Sequence, residues 1–167
     1  MDAQTLKAVQ APLKARYRDD ADAACMTLDA ESALDADGIA CSIKVGGQLA
    51  AAGLHPATGG SGAELCSGNM LLEALAACAG VTLRAVATAK GLDIKRGAVK
   101  VEGDIDFRGT LGIDKTVPVG FKAIRLRFEI ETDASADVVA ETVELTERYC
   151  VVLQTLRTSP DLAVTIV

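Results

Sequence analysis

The chain has 167 residues, half of them hydrophobic, with 3% aromatic residues and no tryptophan. That length suits one domain able to bury a core without disulfide staples, and the core must come from Ala, Val, Leu and Ile, which favours close helix packing and further burial between subunits. A net charge of −6 with scattered Lys and Arg excludes a nucleic-acid footprint, because phosphate binding needs clustered cations.

The first segment, Gln4 to about Arg18, spaces Leu6, Val9, Leu13 and Tyr17 by three and four residues and predicts a helix with one apolar face, kinked or divided at Pro12. It holds no continuous apolar run, so neither a signal peptide nor an anchor is expected, and the expected compartment is the cytoplasm. The runs MTLDAESALD and IACSIKVGGQLAAAG flank Asp35-Ala36-Asp37-Gly38 and predict a β-hairpin turning there. His55-Pro56-Ala57-Thr58-Gly59-Gly60-Ser61-Gly62 reads as a loop whose backbone comes close to a ligand or another chain, but it lacks the GxGxxG spacing of a dinucleotide site. Ser67 as N-cap and Gly91 as stop bound a helix from about Gly68 to Lys90. It is apolar nearly all round, as a central buried helix is, while Glu73, Arg84 and its threonines argue against a membrane span.

Val99, Val101, Ile105 and Phe107, then Ile124, Leu126, Phe128 and Ile130, alternate with charged residues and predict two antiparallel strands joined by a loop around Thr110 to Gly120. Lys95-Arg96 and Arg125/Arg127 are expected to form solvated edges of these strands. Ser135 caps a second helix predicted from about Ala136 to Arg157, with Val138, Val139, Val143, Leu145, Val152 and Leu156 on its apolar surface. Pro160 prevents its continuation, and LAVTIV is expected to close the chain as a strand. The order α, β-β, α, β-β, α, β is an α+β pattern.

Chemically useful groups are few: one histidine and five cysteines, with no CxxC or Cys/His cluster, so a disulfide framework, structural zinc and a cofactor are not expected. Most free cysteines are small buried hydrophobes, the role expected of Cys25 and Cys41. Cys78 and Cys150 each lie inside an apolar helical stretch, with the second β pair between them, which makes a dithiol redox site the sharpest hypothesis. Cys66, near a helix N-terminus whose exposed N–H groups lower a thiol's pKa, is a third redox candidate.

Leu71-Leu72-Glu73-Ala74-Leu75-Ala76-Ala77-Cys78 looks like the helix around the peroxide-reacting cysteine of the osmotically inducible protein C and organic hydroperoxide resistance (OsmC/Ohr) proteins. Arg148-Tyr149-Cys150-Val151-Val152 is similar to the place where that family has a cysteine followed by proline. With both in order, about 70 residues apart, the chain resembles this family over most of its length. The resemblance implies one OsmC-like α+β domain over residues 1–167, with 1–20 as an N-terminal helical extension. It also implies two long central helices packed on antiparallel sheet, and an intertwined homodimer with its sites at the interface. The implied activity is that of a thiol-dependent peroxidase serving as an antioxidant in stress response. Cys78 is then the peroxidatic thiolate and Cys150 the resolving thiol, with an organic hydroperoxide as substrate and a dithiol reductant as partner. The chemistry needs a cation or dipole to lower the attacking thiol's pKa from about 8.5, and a second thiol within disulfide reach, roughly 4.4–6.8 Å between Cα atoms. Bulky apolar peroxides are expected over hydrogen peroxide because an aliphatic interface partitions them.

The chain departs from that pattern around the thiol. Where the organic hydroperoxide resistance branch carries an activating arginine in the first hairpin turn, this chain reads Asp35-Ala36-Asp37-Gly38. Where that branch has a proline and a glutamate before the catalytic helix, it reads Cys66-Ser67-Gly68-Asn69. Arg84 lies about 600° of helix rotation beyond Cys78, on the opposite side, which leaves Arg16 or Arg18 if the first helix docks near the site. Cys66, His55 and Asn69 stand beside the predicted entrance and are not supplied by the family pattern. Val151 in place of proline leaves the second helix free to continue. The alternative reading is a binding module, or a stress-related structural dimer, that kept the fold and the thiols while losing the arginine and glutamate.

Overall fold

The structure, a computed structural model, describes residues 1–36 and 38–166. It is a mixed α+β chain in the order α1 (Ala3–Asp19), β1 (Ser32–Leu34), β2 (Ala40–Val45), β3 (Gln48–Gly53), β4 (Leu65–Cys66), α2 (Ser67–Lys90), β5 (Arg96–Ile105), α3 (Phe107–Thr110), β6 (Phe121–Glu131), α4 (Ala136–Tyr149) and α5 (Val151–Arg157). Two compact units are built from it. One comprises Met1–Lys14, Ala74–Lys100 and Leu126–Val167, the other Ala15–Glu73 and Val101–Arg125.

Helix α1 starts where the Asp2 carboxylate accepts the N–H of Thr5 at 2.7 Å, satisfying one of the donors a helix start leaves open. It runs without a break through Pro12 and buries none of its residues. In the second unit, β1 through β4 form a sheet in that order, with β1/β2 and β2/β3 antiparallel and β3/β4 parallel. The turn expected around residues 35–38 joins β1 to β2, pairing Leu34 with Cys41; Asp37 lies outside the described residues. The run after it divides into two strands. Gly46 and Gly47, both at positive φ (57° and 83°), make the two-residue turn that pairs Val45 with Gln48.

The N-terminal turns of α2 belong to the second unit, where Leu72 and the Phe121 ring close so tightly over Gly103 that a Cβ there would sit 2.6 Å from the ring. In the first unit the same helix buries Leu75, Ala79, Leu83 and Ala87, a stripe of residues four apart. Leu83 and Ala87 pack with Ile94, and Leu92, Val99, Phe128 and Ile130 close over them, so a helix lies on the strands. Each fully buried leucine contributes about 1.5–3 kcal/mol. The helix stops as expected: Gly91, at φ 69°, donates to the Thr88 carbonyl while Leu92 donates to that of Ala87, which caps the last carbonyls.

Strands β5 and β6 pair. Lys100 meets Glu129 and Asp104 meets Arg125, so as one strand advances the other recedes and the pair is antiparallel. The alternation puts these charges on the solvent side, as expected for Arg125. Besides the unbroken run of α1 through Pro12, and Phe107, which begins α3 in place of a strand position, three further expectations are not met. Helix α2 buries one stripe, not its whole surface, and Val81 is 72% exposed. The second helix is two helices, broken at Cys150. LAVTIV forms no strand among its described residues, and Leu162, Val164 and Ile166 are exposed.

Candidate functional site

Helix α4 and the part of helix α2 from Ala74 onward, both in the first unit, are tied at two levels. Lys90 Nζ lies 2.7 Å from a Glu141 carboxylate oxygen at one end, and the Cys150 thiol hydrogen-bonds the Cys78 sulfur at the other. The two helices therefore run antiparallel. On α4 the buried positions are Thr142 and Thr146, and Cys150 follows at the same spacing of four, all three with no exposed surface. Each threonine hydroxyl donates to the carbonyl four residues back, Val138 and Thr142, at 2.7 Å, so a polar side chain sits in the core without an unmet hydrogen bond.

At Cys150 the helix breaks although nothing in the local sequence demands it. The Cys150 N–H still bonds the Thr146 carbonyl at 2.9 Å, but its ψ of 104° is extended and turns the chain aside. In an unbroken helix the N–H groups of Val151 and Val152 would bond the carbonyls of Glu147 and Arg148. Here both N–H groups act instead on the Cys78 thiol and lower its pKa. The Glu147 carbonyl they abandon accepts the side-chain N–H of Gln154 at 2.7 Å, and the Glu147 carboxylate pairs with Arg157 at 2.6 Å. Helix α5 then begins with Gln154 N–H bonding the Cys150 carbonyl at 2.9 Å.

These contacts push the two thiols apart in acidity. Burial raises the Cys78 thiol, but the Val152 N–H, the Cys150 thiol, the Val151 N–H and the Thr82 hydroxyl more than offset it, so its pKa falls below the ordinary value. None of these groups is a cation. Cys150 moves the other way: burial raises it most, and its own bond and charge interaction with Cys78 add to that. A thiol whose pKa is lowered thus stands beside one whose pKa is raised. Both are free thiols.

The structure thus brings Cys78 and Cys150 together. Arg18, His55, Cys66 and Asn69 belong to the other unit. His55 stacks on Phe107 with ring centroids 5.0 Å apart, and its Nδ1 accepts the Ala57 N–H at 3.0 Å, so it caps a short turn over Pro56–Thr58. Cys66 ends β4, paired with Gly53, and Asn69 is exposed in the first turn of α2. Arg18 is exposed in the last turn of α1. Cys25 is exposed before β1, while Cys41 half-lines a depression of about 430 Å³ beside Leu34 and Ile39. Cys41 and Cys66 point to opposite faces of their sheet, since Cys41 pairs with Ala52 and Cys66 with the next residue, Gly53. Sequence reasoning missed three donors to Cys78. Thr82 had a signal, its position one turn on from Cys78; the N–H groups of Val151 and Val152 had none, because their role depends on the break.

The sequence matches the family model for OsmC-like protein over residues 59–165. No curated protein matches it. Among solved structures, an OsmC-like protein from Mycoplasma pneumoniae is similar at 22% identity and a TM-score of 0.65, over 80% of this chain and 89% of that one. An organic hydroperoxide resistance protein from Elizabethkingia anophelis, with thiocyanate bound, is similar at 14% identity and 0.63, over 81% and 91%. A Legionella pneumophila organic hydroperoxide resistance protein, OsmC, is similar at 18% identity and 0.61, over 80% and 90%. At these identities the likeness is one of fold.

Proposed function

Because the chain belongs to the OsmC-like protein family, we propose that it is a thiol-dependent peroxidase acting on organic hydroperoxides, with Cys78 as the attacking thiolate and Cys150 as the resolving thiol. Neighbours named organic hydroperoxide resistance proteins support a role in peroxide stress. The observation that carries the finer reading is the pair itself: two free thiols in hydrogen-bond contact, one made more acidic by its neighbours and the other less.

In the first step the Cys78 thiolate attacks the outer oxygen of ROOH. The O–O bond breaks, sulfur is oxidised to the sulfenic acid, and the alkoxide leaves and takes a proton from solvent to become ROH. In the second, Cys150 sulfur attacks the sulfenic sulfur, the S–OH bond breaks, and water departs with the Cys150 proton as the disulfide forms. A dithiol reductant returns both cysteines to thiols by exchange. We read residues 1–167 as one OsmC-like domain with α1 as its extension, acting as a cytoplasmic homodimer with the site at the subunit interface.

The test follows peroxide loss and free thiol when reduced protein meets cumene or tert-butyl hydroperoxide with a dithiol reductant. Turnover abolished by Cys78→Ser, with Cys150→Ser leaving Cys78 overoxidised, is the expected result. No peroxide consumption together with an unreactive Cys78 overturns it. That outcome would favour the second reading, a thiol-bearing binding or structural dimer without turnover, for which the observation in favour is that, among the described residues, no cation is one of the main groups acting on Cys78.

A further inference from the structure

We propose that Gln154 is a positioning residue that holds α4 and α5 apart at Cys150, so that the Val151 and Val152 N–H groups stay turned to the Cys78 sulfur in a chain with no proline at position 151. The inference rests on reading Cys78 as the attacking thiol and concerns how that thiol is kept ready.

A helix interrupted between Tyr149 and Val151 strands three carbonyls, Glu147, Arg148 and Tyr149, and frees three donors, Val151, Val152 and Leu153, the last of which acts on the Cys150 thiol. Backbone groups left open in this way take partners where they can, and the nearest remedy is to re-form the continuous helix, which would take the Val151 and Val152 N–H groups away from the Cys78 sulfur. Proline at the first position of α5 would forbid that remedy outright, since it has no N–H and forces the residue before it to be extended. Valine forbids nothing. Cys150 nevertheless has the extended backbone a proline would impose, φ −74° and ψ 104°.

Gln154 supplies the missing constraint. Its side-chain amide reaches back seven residues to the Glu147 carbonyl at 2.7 Å, occupying the acceptor that Val151 would otherwise claim. Its backbone N–H bonds the Cys150 carbonyl at 2.9 Å, so one residue fastens both sides of the break. Arg157, three residues on, grips the Glu147 carboxylate at 2.6 Å from the same side of α5. The ionisable groups at this junction are Cys78, Cys150, Glu147, Arg148, Tyr149 and Arg157; Glu147 pairs with Arg157, and Arg148 lies over the Tyr149 ring.

The experiment alkylates the full-length protein with iodoacetamide at a series of pH values and follows Cys78 by peptide mass, in wild type, Gln154→Ala, Val151→Pro and the double variant. Gln154→Ala is expected to slow Cys78 alkylation at pH 7 about tenfold, as withdrawal of a charge-assisted hydrogen bond does. In the Val151→Pro background, where the ring enforces the break, the same substitution is expected to change nothing. A wild-type rate in Gln154→Ala overturns the proposal, and so does a loss of equal size in both backgrounds, which would make Gln154 merely structural. If alkylation behaves as expected while no peroxide is consumed, the peroxidase reading fails and the positioning role stands.

Discussion

Thr82 sits one helical turn beyond Cys78 on α2, where side chains four apart are neighbours, and its hydroxyl donates to the Cys78 sulfur. Thr142 and Thr146 show the other use of a helical threonine, bonding the carbonyl four residues back. Replacing Thr82 with valine keeps the shape and removes the donor. Thr82→Val should therefore slow Cys78 alkylation at neutral pH by about three- to tenfold and move its pH profile upward, while Thr82→Ser retains the wild-type profile. An unchanged profile in Thr82→Val would remove the hydroxyl from the site. A second residue-scale device is Asp106, which caps α3 and is gripped by the Arg108 side chain and then its backbone N–H, so that its pKa falls to about 2. The unfolded value is about 3.9, so the folded state binds the proton later. Its contribution to stability is present above about pH 4 and is lost as pH falls through about 2. Asp106→Asn should flatten the acid limb of a stability-against-pH curve in that window, and leave stability unchanged in its pH dependence above it.

At the scale of elements, ends that carry a local signal were readable and ends set by distant partners were not. Gly91 is the clearest readable stop: it takes φ 69°, and both carbonyl bonds of the cap depend on that turn. Gly91→Ala should cost about 1 kcal/mol in urea unfolding with no change in the slope of the transition, whereas a neutral result would mean the cap contributes nothing. The alternation on β5 and β6, the spacing on α1 and α4, and the hairpin at residues 35–38 were legible for the same local reasons. Gly46-Gly47 was also legible but passed over inside a long apolar run. The break at Cys150 was not legible, because no proline or glycine marks it and its cause is the demand of Cys78 on one side and Gln154 on the other. LAVTIV shows the converse. Its residues suit a strand, but β-propensity describes a fit to a neighbouring strand, and no strand forms over its described residues. Of the site, the two cysteines were in the sequence; the donors that set their acidity were in the fold.

For the whole molecule, α2 poses an unsettled demand for burial. Its stripe of Leu75, Ala79, Leu83 and Ala87 is covered within the chain, but a second apolar row, Leu71, Ala74, Cys78 and Val81, runs along another side at spacings of three and four. Leu71 and Val81 are exposed in it, Val81 at 72%. Cys78 lies between them, half-buried, so whatever covers the row also closes over the sulfur. By length and composition α2 would span a bilayer, yet the covered stripe and the charges of Glu73 and Arg84 suit a core helix better. A second copy covering the row would meet the demand and place the site at an interface, as the proposed homodimer requires. Val81→Arg tests this, because an unpaired charge in such a seam costs roughly 3 kcal/mol, about a hundredfold in dissociation constant. Sedimentation equilibrium should then show monomer at concentrations where the wild type is dimeric, with peroxide turnover falling in step. A Val81→Arg protein that stays dimeric with unaltered affinity would place the interface on another face. A monomer that keeps full turnover would show that the Cys78–Cys150 pair works without its partner.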